Sequence, residues 1–597
     1  MRYASAVLYS AGRTIMRNLS LALALVVLGV APGTSISPTP RAPVPVGASV
    51  ATTRFEISFP VSAHDGPITG RVFLALSRDS APPPIANAGS FTSSTPLFGL
   101  DVSALAPGQA AVIDASTLGY PTKSLADIPA GEYWVQAVMN VYTEFHRADG
   151  HTIWAHMDEW EGQNFTSSPG NIISEPQRVR IDPSAGGTLQ ISLTHVIPPI
   201  HMPADTKWVK HIKIQSTLLT KFWGHPFYLG ATVLLPAGYE THPNVRYPVV
   251  FEQGHFGLGA PLGFNPDSVS LPPKFQTLLG SYNREPGWVF ARAWMGPHMP
   301  RMIAVTFQHP TPYFDDSYAV NSANNGPYGD AIMSELIPYL ESHFRMIEAP
   351  YARVLTGGST GGWESIALQI YHPKFFGGTW TLYPDPVDFH HYGTFDAYAD
   401  TNAFVDDAPG IAPFSPISSW YHPERMVMRD NDGQPWLSIR DMSRLEDVLG
   451  SHGRSGEQFE AWESVYAPVG ADGYPEPLWD KKTGHIDRSV IDYMRDHGYD
   501  LEAYLAKNWE TVGPDLVDKI HVDVGDMDNF YLNLAVMDLQ HFLESTTSPH
   551  VPGVFRYGRP EKGHGWQHVT NAELIEEMAA AITKHAPSGA NMKAWKY

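Results

Sequence analysis

The spacing of apolar residues divides the chain into two regions. Over residues 54–200, apolar and polar positions alternate and turn signals separate the runs, a pattern that predicts β-strands with one buried face. The predicted strands are Gly70–Ser77, Gly131–Tyr142, Arg178–Ile181 and Leu189–Leu193. In the second of these, Trp134, Gln136 and Asn140 fall on the face opposite the apolar one. Because no long helical pattern interrupts the strands, we expect an N-terminal β-sandwich domain with an accessory role.

Beyond the proline-rich stretch Val196–Asp205, strand patterns alternate with helical ones. The predicted strands are Val209–Ser216, Phe227–Pro236, Tyr247–Gly254, Met302–His309, Ala352–Gly358 and Gly377–Pro384, with later strands inside Asp518–Leu534 and Val554–His568. The segment Tyr328–Phe344 has an apolar helical face and predicts the helix of a strand–helix–strand crossover. The alternation predicts a mostly parallel sheet within residues 207–590, carrying a lid-like insertion at about 390–514.

The first residues have the pattern of an export signal. Arg13 and Arg17 precede the apolar run Leu19–Ala31, and small residues and proline follow it. We therefore expect a signal peptide at 1–35, a linker at 36–53, and an exported protein, periplasmic or secreted; a retained membrane anchor is the alternative reading of the same run. No segment reaches the roughly 20 apolar residues of a stable membrane span.

Composition narrows the range of partners. The chain has 40 basic and 61 acidic side chains, a formal net charge of -21 and no block of Lys or Arg, so neither nucleic acid nor an anionic membrane surface is an expected partner. It contains no cysteine, which excludes disulfides, thiol catalysis and thiolate metal ligands. With 597 residues, of which 43% are hydrophobic, the chain can bury a large core without them.

The stretch Gly357-Gly358-Ser359-Thr360-Gly361 matches the G-x-S-x-G motif of a nucleophile elbow. It lies between a predicted strand and the predicted helix Gly362–Tyr371, where such an elbow belongs. The strained turn requires residues without bulky side chains on both sides of the serine. The helix start places N–H groups, notably that of Thr360, where an oxyanion would form. This context predicts an α/β-hydrolase sheet with Ser359 as its nucleophile.

A serine nucleophile needs a histidine base and a carboxylate that orients the base, and in elbow enzymes these follow the serine in the order acid, histidine. His564, in a glycine-flanked loop, is the predicted base, with His568 as its rival. The candidate acids are Asp523, inside a predicted strand, and Asp526 and Asp528, just after it. Neither the histidines nor the acids have the spacing of a metal site, so we expect no metal and no cofactor.

These motifs together resemble the esterase D family of α/β-hydrolases, which includes S-formylglutathione hydrolases, enterochelin esterases, feruloyl and acetyl-xylan esterases and mycolyl transferases. The shared motifs are YPVVFEQGH at Tyr247–His255, E-L-I-P at Glu335–Pro338, G-G-S-T-G-G at Gly357–Gly362, G-x-x-D-x-F at Gly525–Phe530 and G-H-G-W at Gly563–Trp566. The resemblance implies that Asp528 is the acid and that the backbone N–H of His255 is the second oxyanion donor, beside that of Thr360. The departures from the family pattern are the histidine at position 255 and Trp363 after the elbow.

The implied reaction is hydrolysis of a small-molecule or carbohydrate-linked carboxylic ester through an acyl-serine intermediate. Trp363, Asp385 and Trp566 are the expected substrate contacts. The insertion contributes further aromatic residues that would suit a sugar or an aromatic acyl group, unless they form its own core: Tyr392, Phe395, Trp420, Tyr421, Trp436, Trp462, Tyr466 and Trp479. An acyltransferase with the same triad and a non-catalytic binder of carbohydrate or envelope ligands are the alternatives; the oligomeric state is not predicted.

Overall fold

The computed structural model describes residues 53–406 and 423–597. The predicted signal peptide, all but the last residue of the predicted linker, and the aromatic residues Trp420 and Tyr421 lie outside these ranges. Within them, no helix combines the length and the apolar character needed to cross a membrane.

Twelve strands of very different lengths make up most of the described N-terminal region. They are β1 Thr53–Ser58, β2 Ile68–Ser77, β3 Leu97–Leu105, β4 Ala111–Ile113, β5 Gly119–Tyr120, β6 Gly131–Val141, β7 Thr143–His146, β8 Thr152–Ala155, β9 Ile172–Ile173, β10 Gln177–Ile181, β11 Gly187–Ser192 and β12 His195–Val196. One sheet has the order β11-β1-β4, and a second has the order β12-β9-β6-β2-β3-β5 with β10 also paired to β6. Apolar side chains of both sheets share one core, to which Phe55 and Ile113 contribute from the first sheet and Val72 and Ala137 from the second. The four strands predicted in this region coincide with β2, β6, β10 and β11.

The prediction that β6 buries only one face is wrong. Gln136 and Asn140, expected on the open face, are only 5% and 8% exposed. Gln136 donates to the carbonyl of Ser174, and Asn140 accepts from the side chain of Asn171. Val138, on the same face, belongs to a second core that also contains residues of the insertion. The face is buried because the rest of the protein packs against it.

The second region contains the remaining strands. They are β13 Val209–Ser216, β14 Phe227–Leu234, β15 Val249–Gln253, β16 Ile303–Gln308, β17 Asn321–Ser322, β18 Gly326–Pro327, β19 Arg353–Ser359, β20 Thr379–Pro384, β21 Met426–Arg429, β22 Pro435–Ser438, β23 Ile520–Gly525 and β24 Val554–Gly558. Eight of them form one sheet in the order β13-β14-β16-β15-β19-β20-β23-β24. Strand β14 is antiparallel to both of its neighbours, and the other neighbouring strands are parallel. This mixed sheet and its helices are consistent with an α/β-hydrolase fold.

The helices lie mostly between these strands. They are α1 Pro84–Asn87, α2 Thr217–Trp223, α3 Pro273–Ser281, α4 Gly287–Met295, α5 Tyr328–Ala331, α6 Ile337–His343, α7 Thr360–Tyr371, α8 Ile439–Leu449, α9 Gln458–Tyr466, α10 Arg488–Asp496, α11 Leu501–Val512, α12 Asn533–Ser545 and α13 Asn571–His585. The predicted crossover helix corresponds to α5 and α6, joined by a π-helical turn at Ile332–Leu336. That turn ends two residues before Pro338, which has no N–H to donate to the preceding turn.

The insertion between β20 and β23 packs against both other regions. Its helices α8 to α11 and buried aromatic residues such as Trp462 and Trp479 belong to the largest core of the described chain. The same core contains Phe73 and Phe165 of the N-terminal region and Val522 of the central sheet. The insertion therefore packs between the N-terminal strands and the central sheet, whose inner strand β19 carries Ser359.

Candidate active site

Ser359 occupies the tight turn between β19 and α7. Its backbone has φ 60° and ψ -123°, a strained conformation for a residue with a side chain. The strand ends at Ser359 and the helix begins at Thr360, so the helix N-terminus lies directly behind the serine. Gly358 leaves room for a neighbouring ring, since a Cβ at this position would lie 2.2 Å from the hydroxyl oxygen of Tyr383. The local geometry is that of a nucleophile elbow.

The serine hydroxyl donates to a buried carboxylate. Ser359 Oγ lies 3.5 Å from Oδ1 of Asp385, which follows the neighbouring strand β20. Within the described part of the chain, Asp385 is the hydrogen-bond partner of this hydroxyl and His564 is not. Catalytic hydrogen bonds often form only with substrate present, and rotation of the serine side chain suffices to change its partner.

His564 and Asp528 form a buried pair. His564 Nδ1 and Asp528 Oδ2 are 2.8 Å apart, and the two side chains are 8% and 0% exposed. The other carboxylate oxygen, Oδ1, accepts the backbone N–H groups of Phe530 at 3.0 Å and Leu532 at 3.3 Å. A carboxylate in this position favours the tautomer in which Nδ1 donates, which leaves Nε2 as the proton acceptor that a general base needs.

The other candidate acids and the rival histidine have different partners. Asp526 Oδ1 accepts the N–H of Lys562 at 2.9 Å. His568 Nδ1 contacts Asp523 Oδ2, and its Nε2 lies 2.8 Å from Oε1 of Glu577. Burial alone would lower the pKa of His568, but these two carboxylates raise it above the ordinary value. Both ring nitrogens of His568 thus face carboxylates, and neither is directed to a serine.

The segments expected to donate to an oxyanion adjoin each other. Strand β15 pairs with β19 so that Gln253 lies opposite Gly357, and the chain then continues to His255 beside the elbow. His255 Nδ1 lies 3.0 Å from Oδ1 of Asp315 and 3.4 Å from Oδ2 of Asp316. Burial opposes a charge on this ring, but the two carboxylates raise the pKa of His255 well above its usual value. The side chain of His255 thereby anchors the loop that carries its backbone N–H.

Gly361 sets the distance between α7 and this loop. A Cβ at position 361 would lie 2.1 Å from the carbonyl oxygen of Gln253 and 2.7 Å from the backbone nitrogen of Gly254. Because these are backbone atoms, the loop that carries His255 would have to move. For the ester hydrolysis that the sequence predicts, replacing Gly361 with alanine is expected to lower kcat about 100-fold, the lower end of the loss caused by removing one oxyanion donor.

The control for this prediction is Gly259→Ala, since no atom lies within 4 Å of a Cβ at that position. Its kcat should equal that of the unchanged protein. Equal activity of Gly361→Ala and Gly259→Ala, each measured on folded protein, would show that the loop does not bind the reacting carbonyl.

Asp385 lies at the centre of a hydrogen-bond network that sequence patterns did not reveal. Its Oδ2 accepts from four side chains, which are the Tyr318 hydroxyl at 2.6 Å, the Thr360 hydroxyl at 3.1 Å, Gln458 Nε2 at 3.1 Å and Trp462 Nε1 at 3.2 Å. Burial raises the pKa of Asp385, while the bonds from Tyr318 and Trp462 act in the opposite direction. Tyr318 follows β16 and Gln458 begins α9, and no local motif marks either residue.

A narrow cavity adjoins Ser359, with a volume of about 40 Å³. The N-terminal region contributes Phe91 to its wall, the loop after β23 contributes Phe530, and most other wall residues come from the insertion. Of the aromatic residues predicted in the insertion, Tyr392 and Trp462 line this cavity. The others within the described residues belong to the core or pack against it: Phe395, Trp436, Tyr466 and Trp479. No pattern in the sequence predicts that Phe91 lines this cavity.

Two tryptophans that were expected to contact substrate lie elsewhere. Trp363 is fully buried and packs against the rings of Tyr318 and Tyr466, with centroids 5.6 and 5.2 Å away. Trp566 packs on β24, where a Cβ at Gly558 would lie 2.3 Å from its ring. Neither residue lines the cavity. Position 363 faces the interior because the first turn of α7 is buried on all sides.

Histidine and carboxylate groups also cluster behind the elbow. His309, Asp316 and Glu364 are buried and have potential ligand atoms within 4.8 Å of one another. His309 Nδ1 accepts the backbone N–H of Ser317 at 3.0 Å, so the neutral ring carries its proton on Nε2, 3.9 Å from Glu364 Oε1. Burial lowers the pKa of His309 to about 4 and raises the pKa of Glu364 well above its usual value. A protonated Nε2 is a donor and not a metal ligand, so this arrangement favours neutral groups over a bound cation.

Comparison with known proteins finds similarity at the level of structure. No protein-family model matches the chain, and no curated protein is similar to it. A ferulic acid esterase aligns with a TM-score of 0.34 and 15% identity over 63% of this chain and 98% of its own. An S-formylglutathione hydrolase from Agrobacterium tumefaciens aligns with a TM-score of 0.30 and 10% identity over 64% and 98%. A fluorophosphonate-binding serine hydrolase of Staphylococcus aureus aligns with a TM-score of 0.29 and 11% identity over 63% of this chain and 98% of its own.

Proposed function

We propose that this protein is a serine esterase that hydrolyses a carboxylic ester through an acyl-serine intermediate. The observation that carries the proposal is the strained Ser359 at a strand–helix turn in the same sheet that bears the buried His564–Asp528 pair. A serine held in this conformation costs folding energy, and such strain is concentrated at functional sites. A buried histidine oriented by a fully buried carboxylate is the matching base.

In the proposed mechanism, a bound ester displaces Asp385 as the partner of the serine hydroxyl. Ser359 Oγ then attacks the ester carbonyl, and His564 Nε2 takes its proton and passes it to the leaving alcohol. Water attacks the acyl-serine by the same route, with the proton returning to the serine, and the acid is released. Asp528 holds the imidazole throughout, and the backbone N–H groups of Thr360 and His255 stabilise the oxyanion.

We further propose that the esterase is exported and that its two N-terminal sheets form an accessory β-sandwich. Export rests on the apolar segment Leu19–Ala31, and the sandwich is supported by the core that the two sheets share. The role of this region would be to support the insertion and to supply Phe91 to the cavity wall.

The proposal is tested with a fluorophosphonate probe, which reacts with activated serines. Intact mass should show one adduct on the unchanged protein and none on Ser359→Ala. The matched control is Ser365→Ala, six residues further along α7, whose buried hydroxyl donates to the carbonyl of Gly362 and lies 3.0 Å from the hydroxyl of Thr381, away from the proposed triad. This variant should label like the unchanged protein. No adduct on folded protein, or an adduct that survives in Ser359→Ala, would contradict the assignment.

A further inference from the structure

The cavity beside Ser359 also adjoins the base, because its wall includes Phe530, whose ring centroid lies 4.9 Å from that of His564. Ser359 and Asp385 contribute to its wall, and His564 does not. The leaving alcohol receives its proton from the histidine, so in the proposed mechanism the alcohol departs on the histidine side. The cavity, whose wall contains the serine and Asp385 but not the histidine, is then the place for the acyl part of the substrate, and most of its other side chains, such as Met442 and Phe459, are apolar.

At the serine end of this cavity, Asp385 presents one fixed oxygen. Its Oδ2 is held by four side-chain donors from three separate segments, so the carboxyl group cannot turn without breaking several hydrogen bonds. The opposite oxygen, Oδ1, lies 3.5 Å from Ser359 Oγ and accepts from it. In the proposed mechanism the serine hydroxyl turns away from Oδ1 when the ester binds, and it has no proton to donate once the acyl-serine has formed.

A buried carboxyl oxygen without a donor is unfavourable at this place for two reasons. A buried acceptor that has lost its partner pays the cost of desolvation. A negative charge beside the forming oxyanion also opposes the transition state. A donor on the substrate would remove the first cost, and a cationic donor would reduce the second as well.

We infer that Asp385 determines acyl specificity by accepting a hydrogen bond from a hydroxyl or ammonium group near the acyl carbonyl. A substituent on the second carbon of the acyl group is three bonds from Ser359 Oγ, and one on the third carbon is four bonds away, so both can approach Oδ1. The preferred substrates are therefore esters of short 2- or 3-hydroxy acids or of the corresponding amino acids, with the apolar remainder in the cavity. This inference rests on the proposed esterase function.

The test compares methyl esters that differ in one group. Butanoate, 2-hydroxybutanoate, 3-hydroxybutanoate, 3-aminobutanoate and 2-methoxybutanoate esters are hydrolysed at constant pH, and kcat/KM is measured from the acid released. At least one donor-bearing ester should exceed both butanoate and the methoxy ester about 10-fold or more, since a site built for a donor rejects analogues that lack it. The amino ester separates a requirement for a cation from a requirement for any donor.

Asp385→Asn reverses the polarity of the subsite. The four donors around Oδ2 hold the amide oxygen there, so the amide NH₂ takes the position of Oδ1 and faces the acyl group. The preference for hydroxyl over plain butanoate should disappear, and the methoxy ester, which offers only an acceptor, should gain relative to the hydroxy ester. The matched control is Asp388→Asn, because Asp388 is buried nearby but binds the N–H and imidazole of His390. It should keep the original preference.

The outcomes separate this inference from the function on which it rests. If Ser359 labels and plain esters are hydrolysed, but no donor-bearing ester is preferred, only the role of Asp385 is overturned. A preference that persists in Asp385→Asn overturns it equally. If nothing is hydrolysed and Ser359 does not label, the esterase proposal fails and the inference fails with it. If the unchanged protein shows no preference for a donor-bearing ester, the inference is overturned even if the variant does not fold.

Discussion

Replacing Asp528 with asparagine is expected to lower kcat for ester hydrolysis by about 10⁴-fold. The reason lies in the different partners of its two oxygens. The backbone N–H groups of Phe530 and Leu532 hold Oδ1, so in the variant the amide oxygen stays there and the NH₂ group replaces Oδ2. That NH₂ group donates to His564 Nδ1 and forces the imidazole proton onto Nε2. A protonated Nε2 cannot accept the proton of Ser359.

The measurement is kcat with a nitrophenyl ester, combined with the rate of fluorophosphonate labelling, which should fall in parallel. Asp526→Asn is the matched control. Asp526 is two residues away and accepts only a backbone N–H of Lys562 through Oδ1, a bond that the amide oxygen preserves. This variant should stay within a few-fold of the unchanged protein. A large loss in Asp526→Asn with full activity in Asp528→Asn would assign the acid to position 526 instead.

The choice between these two aspartates illustrates what the sequence could and could not predict. The elbow was predictable because one tight turn places its requirements on consecutive residues, which need glycine around Ser359 and a strand and a helix on either side. Asp526 and Asp528 both follow β23, and only the course of the loop decides which one meets His564. That course depends on N–H groups that become donors to Asp528 only after the chain has folded.

The sequence did not predict the site residues that come from distant segments of the chain. Tyr318 and Gln458 are far apart in the sequence, but in the fold they contact each other and both donate to the carboxyl group of Asp385. Phe91 reaches the cavity because the insertion packs against the N-terminal sheet. The same packing explains why the alternation in β6 gave the wrong burial for Gln136 and Asn140. A pattern of period two shows that a strand has two faces, but not what covers the second one.

The contact between the N-terminal sheet and the insertion depends strongly on one arginine. Arg71 of β2 is 4% exposed and pairs with Asp101, with Nη1 and Oδ1 2.6 Å apart. Its Nε and Nη2 donate to the carbonyls of Val448 at 3.0 Å and Asp447 at 2.7 Å, in the last turn of α8. Carbonyls at a helix C-terminus have no partner within the helix and favour a cation. The same helix carries Met442 of the cavity wall, so Arg71 fixes part of the site from another region of the fold.

Replacing Arg71 with methionine is expected to destabilise the protein by about 3 kcal/mol, because it leaves buried carbonyls without a donor. Methionine fills much of the space of the arginine stem, so the loss reflects the missing hydrogen bonds and charge. The midpoint of thermal unfolding should fall by several degrees, and esters with longer acyl chains should gain in kcat/KM relative to butanoate as the wall formed by α8 loosens.

At acid pH the difference in unfolding free energy between the unchanged protein and Arg71→Met should become smaller. Burial by itself raises the pKa of Asp101, but Arg71, Ser451 and Arg454 together lower it below the usual value. The stability from this ion pair is therefore present above about pH 4 and is lost as the pH falls through the lowered pKa. Below that range Asp101 is protonated in both proteins, and only the loss of the bonds to the α8 carbonyls still separates them.

Arg78→Met provides the control for position 71. Arg78 lies just beyond β2, is exposed, and lies over the ring of Tyr133 at 3.9 Å, so its loss should change stability by no more than about 0.5 kcal/mol. If Arg71→Met unfolds like Arg78→Met and keeps the same acyl preference, the N-terminal sheet does not hold the cavity wall. If Arg71→Met loses both stability and acyl selectivity and Arg78→Met loses neither, the N-terminal region is part of the substrate site. It then acts on the cavity wall through α8, which belongs to the insertion.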